Sequence, residues 1–290
     1  MDFRALVLGL LFALMWSSAF TSARIIVQDA PPLYSLTARF FVSGSLGLLL
    51  AWIMGQSFRL TRPQWFATVL FGLCQNALYL GLNFVAMQTI EASLASIIAS
   101  TLPLVVAIAG LMFMGERISA LGAVGIITGI GGVCLIMGVR LSGGVDLGAV
   151  GLCAIAVLSL AAATLLALGA ASGGNIMTIV GMQMLVGGAI LAVPAMLFET
   201  PTVNITQPLI LAFIYTTLVP GLAATWIWFK LIERIGAVKA ATFHFLNPVF
   251  GVAIAAILLS EPLGIWDAIG VLIIAVSIYV VQTARQVKSS

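Results

Sequence analysis

Long apolar runs separated by short polar clusters recur along the whole chain. They cover Ala5 to Ile26, Tyr34 to Met54, Gln64 to Met87, Ala92 to Met114, Ala120 to Val139, Leu147 to Leu168, Asn175 to Phe198, Pro208 to Lys230, Val238 to Leu259 and Ile265 to Thr283, ten runs in all. A helix that crosses a bilayer needs about 20 predominantly apolar residues. Strands of a membrane barrel alternate over roughly 10 residues and do not give such runs. The pattern predicts an all-α integral membrane protein with ten transmembrane helices.

The pattern also repeats. Shifting the sequence by 145 positions lays Ala92 on Ala237, Ala95 on Ala240, Pro103 on Pro248, Glu116 on Glu261, Ala123 on Ala268 and Gly125 on Gly270. Each copy holds a long apolar helix with an internal proline, a short acidic hairpin, and a second apolar helix rich in small residues. Similarity at a fixed offset over half a chain marks duplicated membrane folds. Two five-helix repeats are therefore predicted, residues 1–145 and 146–290, inverted relative to each other, with Arg140 to Gly148 as the hinge between them.

Composition excludes a soluble globule: 62% of residues are hydrophobic and 7% charged, where a soluble domain carries about 25% charge. The mean hydropathy is +1.22. The three cysteines, Cys74, Cys134 and Cys153, fall in or beside apolar runs as small hydrophobes and give no disulfide framework. The net charge of +3 reports orientation rather than a nucleic-acid partner. With the N-terminus inside, Arg4, Arg59, Arg62, Arg117, Lys230, Arg234, Lys239, Arg285 and Lys288 fall on the cytoplasmic side and only Arg140 in an outer loop. That is the positive-inside pattern. It places both termini in the cytoplasm and the loops of Glu91 and Glu261 outside. The first run resembles a signal segment around Thr21, Ser22 and Ala23, but the five-plus-five count requires it to stay as a helix.

Polar residues inside the runs are the candidates for chemistry. Trp16 lies near mid-membrane, whereas Trp52, Trp65, Trp228 and Trp266 fall where interfacial tryptophans belong. Ser17, Thr21 and Arg24 form one arc pointing into the bundle. Arg39 sits about two turns below the outer surface, where an arginine costs at least ~2.5 kcal/mol at the centre unless it snorkels; it either ties helices or meets substrate. Asn76, Tyr79 and Asn83 share about 60° of arc and either line a cavity or bond to neighbouring helices. Ser93, Ser96, Ser100, Pro103 and Ala107 form a stripe, with Pro103 as bend. Gly122, Gly125, Gly129 and Gly132 form a packing face, within the molecule or across a homodimer. Tyr215, Thr216, Thr217, Pro220, Thr225 and Trp226 enrich the eighth run. His244, beside Asn247 and Pro248, is a satisfied hydrogen-bonder or a proton or substrate site. Glu116 and Glu261 read as capping residues, with Glu261 and Pro262 opening helix ten. The cavity candidates are thus Trp16, Ser17, Arg39, Asn76, Tyr79, Asn83, Ser96, Ser100, Trp226 and His244, with Pro103 and Pro248 as hinges.

No Walker loop, HExxH motif or convincing nucleophile–base pair is present, and no carboxylate lies mid-span. No cofactor or metal is expected, and a proton-coupled exporter of lipophilic cations is disfavoured. The two copies, each with a proline-containing fourth helix, an acidic hairpin (Gly115, Glu116, Arg117; Ser260, Glu261, Pro262) and a small-residue fifth helix, resemble the EamA family of the drug/metabolite transporter superfamily. Within it the likeness is to the YddG-type exporters of aromatic and other amino acids. The resemblance covers essentially all 290 residues. It implies a bacterial inner-membrane carrier with a central cavity between helices one to four and six to nine, exporting small metabolites, amino acids first, by alternating access. Export of other metabolites or drugs, or a channel, is the alternative, and a membrane-embedded enzyme ranks third. One departure is the loop Gly169 to Gly174, which has no basic residue where relatives often carry one.

Overall fold

The computed structural model describes residues 3–113, 119–170, 175–235, 240 and 242–286. The hairpin of Gly115, Glu116 and Arg117, together with Ala237, Lys239 and Lys288, lies outside them. Among the described residues every regular element is helical. The helices are α1 (Phe3–Asp29), α2 (Pro32–Ile53), α3 (Arg62–Ala86), α4 in two pieces (Ala92–Ala99 and Leu102–Phe113), α5 (Ala120–Ser142), α6 (Leu147–Ala170), α7 (Ile176–Phe198), α8 (Gln207–Ile235), α9 (Asn247–Leu259) and α10 (Ile265–Gln286). Seven of them, α1, α2, α3, α5, α6, α7 and α8, are long and apolar enough to cross a membrane by length and composition. The described apolar parts of α4, α9 and α10 are shorter.

Local chemistry explains the starts and breaks. Thr61 opens α3 with a capping box: its hydroxyl accepts the Gln64 N–H at 3.4 Å and the Gln64 side chain accepts the Thr61 N–H at 2.9 Å. Thr206, which follows Thr61 by the repeat offset, opens α8 by accepting the Leu209 N–H at 3.2 Å. Both helices then widen into π-wound turns that begin 145 residues apart, Gly72–Leu80 in α3 and Thr217–Ala223 in α8.

The fourth run is not one bent helix. It stops at Ser100 and Thr101 and resumes at Leu102, so Pro103 occupies the second position of a new helix, where its missing N–H leaves no bond unmade. The ninth run behaves alike: a 3₁₀ stretch, Thr242–Leu246, precedes α9, and Pro248 is again second. The two resumption points, Leu102 and Asn247, also differ by 145.

Helix ends locate two faces of the bundle. Glu199, just past α7, accepts the Leu33 and Tyr34 N–H groups at the start of α2, both at 2.9 Å. Gln56, just past α2, accepts the Met177 and Thr178 N–H groups at the start of α7, at 3.0 and 3.2 Å. Each helix therefore ends where the other begins, and α2 and α7 run antiparallel. Glycines let them cross closely: a Cβ on Gly47 would lie 3.1 Å from Gly181 Cα, and one on Gly181 would lie 2.9 Å from Gly44 O. Asp29 accepts from Asn204 and Thr206 (2.9 and 2.6 Å), Thr89 donates to Asp146 (2.9 Å), and Arg24 donates to the Met87 carbonyl. These contacts gather the loops near 30, 88, 146, 200 and 261 at one end, here the Asp29 end. Gln56, Ser57 and Thr178 mark the opposite, Ser57 end.

Three expectations change. Glu261 caps, but at another helix: it accepts the Ala92 and Ser93 N–H groups of α4 at 2.8 and 2.9 Å, while α10 begins at Ile265 with Asp267 accepting the Gly264 N–H. The glycine face of α5 is filled from within the chain, since Gly129 meets Leu104 and Ser277, and Gly132 meets Ile273, Ile274 and the Gly270 carbonyl of α10. It is not open to a second copy. Trp52, Trp65 and Trp266 are exposed, but Trp228 is buried among aromatic rings.

Candidate functional site

A narrow cavity with about 30 Å³ of open space lies between α1, α2, α3, α7 and α8. Its wall includes Trp16, Phe20 and Ala23 of α1, Arg39 and Phe40 of α2, Gln75, Asn76, Tyr79, Asn83, Phe84 and Met87 of α3, Met184 of α7, and Pro220 and Thr225 of α8. The apolar runs fold into helices whose polar side chains would be costly against lipid, so those side chains turn inward. The π-wound turns matter locally. A wider turn offsets the side chains that follow from ordinary helical spacing, and it brings Gln75, Asn76 and Tyr79 of α3 and Pro220 of α8 to the same space.

Several of these polar groups are held by the protein. Asn76 Nδ2 donates to the Gln183 carbonyl at 2.9 Å and to Gln183 Oε1 at 2.6 Å, tying α3 to α7. Asn83 Nδ2 donates to the Tyr79 carbonyl at 2.8 Å and its Oδ1 accepts from Cys153 Sγ of α6 at 3.4 Å. Tyr79 has Trp16 as side-chain hydrogen-bond partner, the two rings lying near parallel with centroids 6.4 Å apart. Arg39 is nearly fully buried, its guanidinium 4.9 Å from the Phe40 ring centre and 6.0 Å from that of Phe84. Cation–π contact is the partner the protein gives it.

The other candidates lie apart from the cavity wall. Ser17 Oγ donates to Asn247 Oδ1 at 3.2 Å, and Ser96 Oγ donates to the Asn247 carbonyl at 3.3 Å. Asn247 Nδ2 then faces His244 Nδ1 at 2.8 Å, so Nδ1 accepts and Nε2 carries the ring proton. His244 meets Phe12, Trp16 and Trp228 edge-on, with centroids 5.2, 6.1 and 5.2 Å away. Phe12 stacks on Trp228 at 4.9 Å. This aromatic cluster lies on the Ser57 side of Trp16, and the cavity on its Asp29 side. Ser100 donates to the Ile97 carbonyl at 2.6 Å within α4. Trp226 is half-buried, and its indole N–H has no partner.

Sequence reading passed over Gln75, Phe20, Phe84 and Met184 in the wall, and Gln183 as the anchor of Asn76. Gln183 was visible as the amide in the middle of its run, past the opening Asn175. The aromatic residues carry no signal that separates cavity lining from core.

Apolar helices around an enclosed, part-polar cavity define a membrane protein that handles small molecules. The comparisons give the class more closely. The sequence profile of the EamA-like transporter family matches residues 3–138 and 147–283. An uncharacterized inner membrane transporter of Escherichia coli, YedA, is 31% identical, the match covering 95% of this chain and 92% of that one. The uncharacterized transporter sll0355 of Synechocystis is 27% identical over 94% and 88% of the two chains. The uncharacterized transporter YvbV of Bacillus subtilis is 25% identical over 99% and 93%. A solved crystal structure shares the fold with a TM-score of 0.72 at 19% identity, covering 99% of both chains. The chain belongs to the EamA-like transporter family and is a membrane transporter of small molecules.

Proposed function

We propose that the protein exports small metabolites, amino acids first, across the bacterial inner membrane by alternating access. The observation that carries this reading is the part-polar cavity walled by helices of both repeats and bounded on one side by the aromatic cluster of Phe12, Trp228 and His244. In this reading all ten helices cross the membrane as two inverted halves. The reciprocal capping of α2 and α7 supports the inversion, because each helix ends where its repeat partner starts. Both termini are cytoplasmic and the Asp29 end faces outward, on the distribution of basic residues. The cavity then lies on the outer side of the aromatic cluster, which closes the inner path. Pro103 and Pro248 mark the paired bending points whose motion would exchange the two.

Purified protein in proteoliposomes, loaded with unlabelled amino acid and given labelled amino acid outside, tests the reading. Saturable counterflow that unlabelled amino acids compete away is expected. Flux linear in concentration and without counterflow identifies a channel instead. In intact cells carrying the chain with Cys74, Cys134 and Cys153 replaced, a cysteine at Thr202 is expected to react with an impermeant reagent from outside and one at Ser57 to be protected; the reverse pattern sinks the orientation.

A further inference from the structure

Arg39 is the charged side chain in the cavity wall, and among the described residues none supplies a counter-charge for it. It is 4% exposed. Its Nε has no hydrogen-bond partner, and it forms no ion pair among the described residues. At the Asp29 end of the bundle, Asp29 holds Asn204 and Thr206, and Glu199 closes the start of α2. What surrounds the guanidinium is aromatic, Phe40 and Phe84, with Gly221 of the α8 π turn beside it. A buried cation without an anion is costly to keep and easily replaced by an apolar residue of similar size. Its presence in a solvent-sized space is explained if the missing anion arrives with the cargo.

We infer that Arg39 anchors an anionic group of the substrate, a carboxylate, and that the cavity selects small amphiphilic acids by that group rather than by an amino group. The inference rests on reading this cavity as the transport site. Trp16, Phe20 and Phe84 offer the apolar part of such a molecule a face, while no carboxylate in the wall receives an ammonium. Planar, bidentate recognition favours arginine over lysine. The class therefore widens from amino acids to amphiphilic carboxylates that lack a free amine.

Thermal unfolding of the purified full chain with three probes tests this: N-acetyl-L-phenylalanine, L-phenylalanine and phenethylamine. Both acids are expected to raise the wild-type Tm and phenethylamine to leave it unchanged. R39Q removes the unpaired charge, so its empty form is expected to be at least as stable as wild type while neither acid shifts it. R39K keeps the charge without the fork and is expected to bind the acids at least tenfold more weakly. The inference is overturned if neither acid shifts the wild type, if phenethylamine shifts it as strongly as the acids, if R39Q binds the acids as the wild type does, or if R39Q unfolds while R39K keeps full affinity. Flux in proteoliposomes separates this from the carrier reading. Acid binding that depends on Arg39 without any flux keeps the anchor and sinks the carrier. Saturable flux of amine and acids alike, unchanged by R39Q, does the opposite.

Discussion

Two stretches that the repeat makes equivalent serve the bundle in unlike ways. In α3, Gln75, Asn76, Tyr79 and Asn83 carry hydrogen-bonding groups. At the same positions of α8 stand Pro220, Gly221, Ala224 and Trp228. Both stretches begin with a π-wound turn, so the backbone device is shared and the side chains are not. The first copy supplies polar contacts on the Asp29 side of Trp16. The second supplies shape: a proline, a glycine whose missing side chain lets the turn approach the Thr216 carbonyl, and a tryptophan that closes the Ser57 side by stacking on Phe12. Duplication sets out two equal frames, and divergence has made one of them polar and the other apolar.

The largest test of that division is to truncate one member of the equivalent pair Asn83 and Trp228. Trp228→Ala leaves a hole among Phe12 and His244 and is expected to cost about 3–5 kcal/mol, the range for large aromatic truncations in cores. It is also expected to admit water-soluble thiol reagents from the Ser57 end to a cysteine placed at Ala13. Asn83→Ala loses membrane hydrogen bonds worth about 0.6–1.7 kcal/mol and is expected to leave that path closed. Unfolding in bilayers and labelling rates measure both; equal effects from the two substitutions would erase the distinction.

A smaller effect is expected at the paired prolines. Both sit at the second position of a resumed helix, where proline suits the local backbone, so Pro103→Ala and Pro248→Ala should each cost no more than about 1 kcal/mol. Their expected consequence is directional: cysteine accessibility shifts toward opposite ends in the two variants, with transport slowed in both. Unchanged accessibility and wild-type rates would make the prolines helix starters and nothing more.

The smallest effect belongs to the exposed loop between α5 and α6. Asp146 is held below the usual carboxylate range by the Thr89 hydroxyl first, then by the Ala149 and Gly148 N–H groups. A carboxyl whose folded pKa is depressed adds stability above its unfolded pKa and loses it as pH falls through the folded value. The Tm gap between wild type and Asp146→Asn is therefore expected to be small and constant from neutral pH down to about 5, and to close below about 4. A gap that widens in acid would reverse the sign.

Much of this architecture was legible in order along the chain, because a hydropathy run depends only on neighbouring residues. The prolines were legible as interruptions, and Asn76, Tyr79 and Arg39 as polar groups too deep to face lipid. What escaped depended on distant partners. The apolar pattern is blind to π winding, which changes the turn without changing composition. Gln56 and Glu199 looked like loop residues until each met the other copy's helix start. Gly44, Gly47 and Gly181 gave no regular stripe, yet they set the α2–α7 crossing. Ser17, Ser96 and His244 read as cavity candidates, but Asn247 gathers all three apart from the cavity wall. A single sequence offers no sign of which buried group a neighbour has already claimed.

The exchange of caps between α2 and α7 bears on how the protein is made. When the ribosome has delivered the first repeat, α2 stands with two N–H groups at its start that have no side-chain acceptor, because Glu199 lies 54 residues beyond Val145, where that repeat ends (199 − 145 = 54). Groups left open in this way cost free energy wherever water is scarce. The first repeat thus leaves the insertion machinery as an unfinished object. Its second helix can shift or tilt until the second repeat arrives, and the arrival of α7 settles both helices at once, since Gln56 completes the newcomer as Glu199 completes the resident. Biogenesis then has a late, mutual locking step, and a chain cut between the repeats would have to find its other half before either could rest.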